Sequence, residues 1–368
     1  MEKAEKMKTA VVGCGSISDI YLKNMMHRFS NLEVISCCAR HLESAVKKAE
    51  KYGIRACTFE EILEDSSVEL LVILTPAPTH YELIRRGLMA GKHVYTEKTM
   101  TVSVKEAEEL LKLAEEKGLY LGSAPDTFLG AALQTGRKAI DDGILGEVTS
   151  FEISANRQID FLASIFTFLR MQGGGICYDY GVYYLTALVS LLGPVERVAA
   201  IVKNRKEVRK NICKESPDYG KEYSYPNESQ VSAVIELENG ILGTFSLNGD
   251  SIARDLADFK IYGTKGVLTI SDPNQFGGDI SVIQNGADGK VESTLLEPVS
   301  PYSENCRGIG PSEMAQAIRE GKKNRASKEM AYHVLDTICQ MMKSSDTGAF
   351  EKVESTCSRP EVFRQGIN

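Results

Sequence analysis

Several features that would have placed this chain in a class at once are missing. No run of about 18 apolar residues occurs, so no membrane-spanning helix is expected. Cations are not concentrated: the most basic stretch, residues 203–210, is interrupted by Glu207 and Val208 and reads as a solvated strand end or loop. With a net charge of −7 and no basic stripe, nucleic acid is not an expected partner, because phosphate binding needs clustered Lys and Arg. The nine cysteines include no CxxC pair, so no metal site is expected and all nine read as reduced and structural. The first residues, MEKAEKMK, are charged and contain no apolar core of a secretory leader. No internal repeat or low-complexity segment is evident. These absences predict a soluble, cytoplasmic, globular protein, and 368 residues at roughly 150 per domain predict about two domains.

What is present changes character near residue 125. Before it, short apolar runs alternate with helical stretches: Thr9–Gly13, a helix from Ser16 to about Arg28, Leu32–Ala39, a helix over Leu42–Tyr52, then the uniformly apolar Leu70–Thr75. A helix over Thr79–Ala90, His93–Thr96, a helix over Ser103–Lys117 and Leu119–Ser123 complete the series. Strands separated by 10–15-residue helices imply right-handed βαβ units and a parallel sheet. After it, Leu129–Asp142 reads as a helix, Val148–Ala155 as a strand, and the glycines 173–175 open an apolar helix reaching Leu192. Val231–Leu237 and Ile241–Leu247 flank the two-residue turn Asn239–Gly240 as a hairpin, and further strands are predicted near 258–262, 267–270 and 280–283. Helices return over Ser312–Glu320 and Lys328–Lys343. The fold class is therefore α/β: a doubly wound parallel Rossmann sheet over 1–124, then an α+β domain over 125–368 with a mostly antiparallel open sheet. Val234 and Leu242 place apolar residues on the otherwise polar sheet face, which predicts a homo-oligomer through that sheet.

The segment VVGCGSIS sets Gly13 and Gly15 between the first strand and first helix, followed by Ser16 and Ile17. A pyrophosphate needs this arrangement, because glycines admit the backbone and the helix N-terminus presents N–H groups and a positive dipole. Ser18 replaces the third glycine of GxGxxG, so the fingerprint is incomplete. At the end of the second strand an NAD site normally carries an acid for the ribose 2′-hydroxyl. Here Ala39 and Arg40 occupy that place, which favours NADP over NAD.

GCGSIS at 13–18, TPAPTH at 75–80, AGKHVYTEKT at 90–99, GGGICYDYGVYY at 173–184 and GPSEMAQAIREGKKNRAS at 310–327, taken together, resemble the Gfo/Idh/MocA oxidoreductase family over nearly the whole chain. The resemblance implies that the family's EKP motif is Glu97 and Lys98 here, with Thr99 replacing proline. It also implies that the GGGxxxDxGxH motif supplies Asp179, with Tyr183 in the histidine position, as in glucose–fructose oxidoreductase and dihydrodiol dehydrogenase. By this resemblance Lys98, Asp179 and Tyr183 are catalytic. Gly13, Gly15, Ser16, Ile17, Arg40, Thr75, Pro76, His80, Glu97 and Lys98 hold the cofactor, and Asp126, Arg157, Asp179 and Tyr183 meet the substrate. The implied partner is a small carbohydrate, glycoside or cyclic polyol, oxidised or reduced at a secondary alcohol. One branch it resembles oxidises glucosyl groups at carbon 3; a dihydrodiol or free-sugar dehydrogenase, or a dinucleotide-binding regulator without turnover, are the alternatives.

Overall fold

The computed structural model describes residues 6–254, 256–286 and 288–363. It divides into two compact units, residues 6–129 with Glu304–Tyr332, and Gly130–Ser303 with residues 333–363.

The first unit is built on six parallel strands: β1 (Met7–Val12), β2 (Leu32–Cys38), β3 (Arg55–Ala56), β4 (Leu70–Ile73), β5 (His93–Thr96) and β6 (Leu121–Ser123). Helices α1 (Ser18–His27), α2 (Leu42–Tyr52), α3 (Phe59–Glu64), α4 (His80–Met89) and α5 (Val104–Lys117) connect them. The order β3-β2-β1-β4-β5-β6 reverses direction between β1 and β4. Ligands of such sheets bind outside the carboxyl ends at this switch point, which is where residues 13–16 and 75–76 lie. β4 is buried along its whole length, as expected of a central strand covered on both faces. α1 starts two residues later than predicted, because residues 14–17 are spent on the turn.

The second unit contains α6 (Ala131–Asp141), β7 (Val148–Asn156), α7 (Ile159–Ile165), α8 (Val182–Leu192), β8 (Val195–Lys203), β9 (Val208–Lys210), β10 (Glu222–Ser224), β11 (Gln230–Leu237), β12 (Leu242–Asn248), β13 (Leu256–Gly263), β14 (Val267–Ile270), β15 (Ser281–Asn285) and β16 (Val291–Leu295). α9 (Ile309–Glu320) returns to the first unit, α10 (Lys328–Thr347) begins there and ends in the second, and β17 (Glu351–Lys352) closes the sheet. The nine-stranded sheet runs β16-β15-β14-β13-β7-β12-β11-β8-β17 and is antiparallel except where β12 pairs with β7. Strict alternation in β11 and β12 buries Val231, Ala233, Ile235, Phe245 and Leu247, whereas Ile201, Val234 and Leu242 stay exposed on the opposite face.

Two expectations change. The segment 304–332, expected in the second domain, belongs to the first unit. Long-range polar ties explain why: Asn24 donates to the Asn305 and Arg307 carbonyls at 2.8 Å, and Asn31 and Ser312 are hydrogen-bonded at 2.6 Å. The basic stretch 203–210 is also not uniformly solvated. The Arg209 side chain is wholly buried, paired with Asp160 at 2.7 Å and Asp250 at 2.9 Å, with its guanidinium over the Tyr225 ring. Among the described residues no helix is long and apolar enough to cross a membrane.

Candidate active site

Gly13 has φ +109°, and a Cβ there would meet the Leu74 carbonyl carbon at 2.9 Å, so only glycine fits where β1 passes the end of β4. Its N–H donates to Cys38 at 2.8 Å. Gly15 and Ser16 are exposed, and a Cβ on Gly15 would meet nothing within 4 Å, so the backbone of the turn lies open to an incoming anion. Ile17 precedes α1 without a side-chain cap, the situation in which first-turn N–H groups serve a phosphate. Ser18, in the place of the third glycine, is buried and satisfied, its hydroxyl donating to the Gly15 carbonyl at 2.6 Å. The turn thus fits the pyrophosphate of a dinucleotide. Arg40 stands exposed just past β2, and Thr75 and Pro76 follow β4, with Thr79 Oγ1 bonded to Thr75 Oγ1 at 2.8 Å.

Lys98 follows β5 at the carboxyl edge of the sheet and is half-buried; the Lys98–Thr99 peptide is cis. Its backbone is held from both sides. The Glu97 carboxylate accepts from Tyr21 Oη at 2.7 Å and from the Lys98 N–H at 3.1 Å. His80 is fully enclosed, with Nδ1 2.7 Å from the Thr99 carbonyl and Nε2 2.7 Å from the Thr75 carbonyl. Burial pushes the His80 pKa down, against the two carbonyls and the nearby Glu97, which favour its cation. His80, expected among the cofactor contacts, is therefore a brace between the segments after β4 and β5, its ring nitrogens already occupied.

Asp126, expected to meet substrate, is 1% exposed and accepts from the Gly308 and Gly310 N–H groups at 3.3 and 3.1 Å. Burial raises its pKa to about 6, opposed by Arg307. Its place is to fasten the 304–332 segment, because no face of the carboxyl is left to solvent.

In the second unit Asp179 lies in a single π-helical turn, Cys177–Gly181, that runs directly into α8, where Tyr183 is largely buried. π-Turns inside helices are frequent at functional sites because they re-aim side chains by one position. Arg157, just past β7, lays its guanidinium 4.1 Å from the Tyr180 ring centroid. Two features were not anticipated. The Tyr180 and Tyr184 hydroxyls are hydrogen-bonded to each other at 2.8 Å and share Asp272 as an acceptor, at 3.2 and 2.9 Å. Their i, i+4 spacing was visible in DYGVYY; their acceptor, 88 positions from Tyr184, was not. The second is Glu228, whose carboxylate accepts from the Cys177 N–H at 2.9 Å and fills the space beside Gly175, where a Cβ would overlap it. It caps the turn that carries Asp179.

Residues 7–124 match the oxidoreductase family's NAD-binding Rossmann fold, and residues 133–269 match the Gfo/Idh/MocA C-terminal domain. The chain belongs to the Gfo/Idh/MocA oxidoreductase family. It is 32% identical over 206 residues to an uncharacterized oxidoreductase of Schizosaccharomyces pombe, a match covering 55% of this chain and 56% of that protein. It is 26% identical to scyllo-inositol 2-dehydrogenase (NADP(+)) of Bacillus subtilis, over 93% of this chain and 95% of the relative. A levoglucosan dehydrogenase solved with NADH and L-sorbose shares the fold with a TM-score of 0.83 at 17% identity, covering 95% and 99% of the two chains.

Glu228 makes stability sensitive to pH. Burial lifts its pKa to about 7 from 4.5, with Asp179 adding in the same direction. The folded state then holds a proton that the unfolded chain releases between pH 4.5 and 7, so stability declines as pH rises through that window, by about 3 kcal/mol for this group. Thermal melts between pH 5 and 7.5 should show a steeper decline for the native protein than for Glu228→Gln. Parallel slopes would mean that Glu228 is ionised throughout.

Proposed function

We propose that the protein catalyses reversible hydride transfer between a nicotinamide dinucleotide and a secondary alcohol of a sugar, glycoside or cyclic polyol. The observation that carries this reading is Lys98, placed at the carboxyl edge of the parallel sheet with its backbone tied by Glu97 and by His80 through Thr99. The dinucleotide supplies or receives the hydride. The Lys98 ammonium orients the carbinol oxygen and stabilises negative charge developing on it. Tyr183 relays the hydroxyl proton, and Asp179 accepts hydrogen bonds from neighbouring hydroxyls. Arg157, its guanidinium over the Tyr180 ring, contributes positive charge toward further ring oxygens. NADP is the preferred cofactor, because Arg40 is exposed at the end of β2 and Ala39 stands where an NAD site normally carries its acid.

Within this class the preferred substrate is a glycoside oxidised at carbon 3 of its glucosyl group. Support comes from the stretch 165–171, where Ile165, Phe166, Phe168 and Met171 are each about two-fifths exposed. The Asn227 side chain ties this stretch down through the Leu169 and Met171 carbonyls, two residues before the glycines that lead to Asp179. Such a surface suits an apolar aglycone better than a free sugar. The test is absorbance at 340 nm with NAD and NADP separately, across aryl glycosides, free sugars and inositols. Fastest NADP reduction with aryl glycosides is expected. Reduction only with free sugars or inositols removes the glycoside reading, and tightly bound dinucleotide never reduced by any of them points to a regulator.

A further inference from the structure

The proposed chemistry uses one i, i+4 pair, Asp179 and Tyr183, and a second pair, Tyr180 and Tyr184, follows it one residue later in the chain. Tyr180 is 2% and Tyr184 0% exposed, and their rings meet edge to face with centroids 5.1 Å apart. Their hydroxyls close a triangle with Asp272. The phenols are 2.8 Å apart, and each reaches a different carboxylate oxygen, Tyr180 at 3.2 Å and Tyr184 at 2.9 Å. Each phenol has one proton to give, so the carboxylate is the acceptor on which the triangle depends. Burial and the Asp272 charge raise the pKa of both phenols, which keeps them protonated donors. Asp272 is itself held just past β14, where its Oδ1 accepts from the Asn274 N–H at 3.0 Å and its carbonyl from the Gln275 N–H at 2.9 Å.

A further tie leaves the triangle. The Tyr180 ring faces Arg157, whose guanidinium carbon lies 4.1 Å from the ring centroid. The Arg157 backbone is fixed separately, its N–H donating to the Asn248 carbonyl at the end of β12 at 2.8 Å. The backbone bond sets where the arginine starts, and the ring sets where its charge ends. A guanidinium is drawn to the negative face of an aromatic ring, and a phenol that gives its proton to a carboxylate has a more electron-rich face. Asp272 thus both anchors the ring and strengthens its hold on the cation.

We propose that Asp272 is a positioning residue for substrate binding, which holds the Arg157 guanidinium in place through the Tyr180 phenol. The inference rests on the reaction proposed above, with Arg157 as a substrate contact. Asp272 and Tyr180 make and break no bond in that reaction; they keep the cation aimed before the alcohol arrives. Such help is given equally to the bound substrate and to the transition state, so its loss raises KM and leaves kcat nearly as it was. A merely structural Asp272 would behave otherwise. Its loss would lower the melting temperature and disturb the turn that carries Asp179, and kcat would fall with it.

The test uses the full chain with NAD and NADP and with phenyl glucoside, glucose and myo-inositol as substrates. Tyr180→Phe, which keeps the ring, and Asp272→Asn should each raise KM about tenfold and change kcat by no more than about threefold. In an Arg157→Ala background neither change should move KM further, because the cation that they aim is gone. The placement of Arg157 is read without turnover, by NMR of arginine labelled at Nε and Cζ. The native Arg157 signal, identified by its disappearance in Arg157→Ala, should carry a ring-current shift that shrinks in both variants. An unchanged KM, an unmoved Arg157 signal, or a KM rise that persists without Arg157 overturns the proposal, as does a fall in kcat matched by a fall in melting temperature. A native protein that oxidises none of the three substrates with either dinucleotide overturns the proposed reaction instead. The arginine signal then still decides whether Asp272 holds Arg157, and no movement in Asp272→Asn overturns that as well.

Discussion

Lys98→Met should lower kcat by about 10²–10⁴-fold, the range for losing a charged donor that acts on a developing oxyanion. Dinucleotide affinity should change little, because the turn proposed for the pyrophosphate, residues 13–17, follows a different strand of the sheet. Methionine matches the length and apolar stem of lysine, so packing of the half-buried side chain is preserved. The separation matters: a fall in kcat with intact cofactor binding is what a group working on the reacting oxygen predicts. Steady-state kinetics with calorimetric cofactor binding checks it, and unchanged turnover would remove Lys98 from the reaction. His80 offers a contrast. It reaches the same place only through the Thr99 carbonyl, so it acts as a positioning residue rather than a catalytic one.

Arg209→Met should destabilise the fold by about 3–5 kcal/mol, the cost of leaving a buried carboxylate without its cation. Asp250 is 7% exposed, and the Arg209 guanidinium is the cation paired with it; Asp160 at the start of α7 is more open and also paired with Lys206. The loss should therefore fall mainly on Asp250. Adding Asp250→Asn to Arg209→Met should recover part of the stability, since it removes the stranded charge. Denaturant melts of the two variants decide this, and a double variant no more stable than the single one would assign the loss to packing against Tyr225. The single variant should also loosen α7, because Arg209 joins Asp160 of α7 to Asp250 beyond β12. Proteolysis within 158–172 would register it.

The candidate site is proposed from the sequence where local pattern and chemistry coincide. Gly13, Gly15 and Arg40 are expected from strand–turn–helix spacing, and Lys98, Asp179 and Tyr183 from the family resemblance; they lie at strand ends or on the π-turn and helix that follow the glycines. Where the reading failed, a residue type was given a ligand when the fold had already supplied one. His80 and Asp126 have the chemistry of site residues, but backbone groups from 5 to 184 positions away consume it. Glu228 escaped notice for the converse reason: nothing around it marks a helix cap, since the turn it caps lies 51 residues earlier.

By itself the sequence determined the periodic elements, the two-part architecture and the glycine turn, because each depends on residues within a few positions of one another. α2, β5 and β14 fall on the predicted residues, and β4 is as buried as its uniform apolar run implied. β8 was not anticipated, since its VERVAAIVK alternates poorly. Only the tertiary structure decided that residues 304–332 return to the Rossmann unit and that Arg209 leaves a basic surface stretch for the interior. Both are choices among partners far apart in the chain. What selects them is the cost of burying a polar group unpaired, a quantity that exists only once the chain has closed around it.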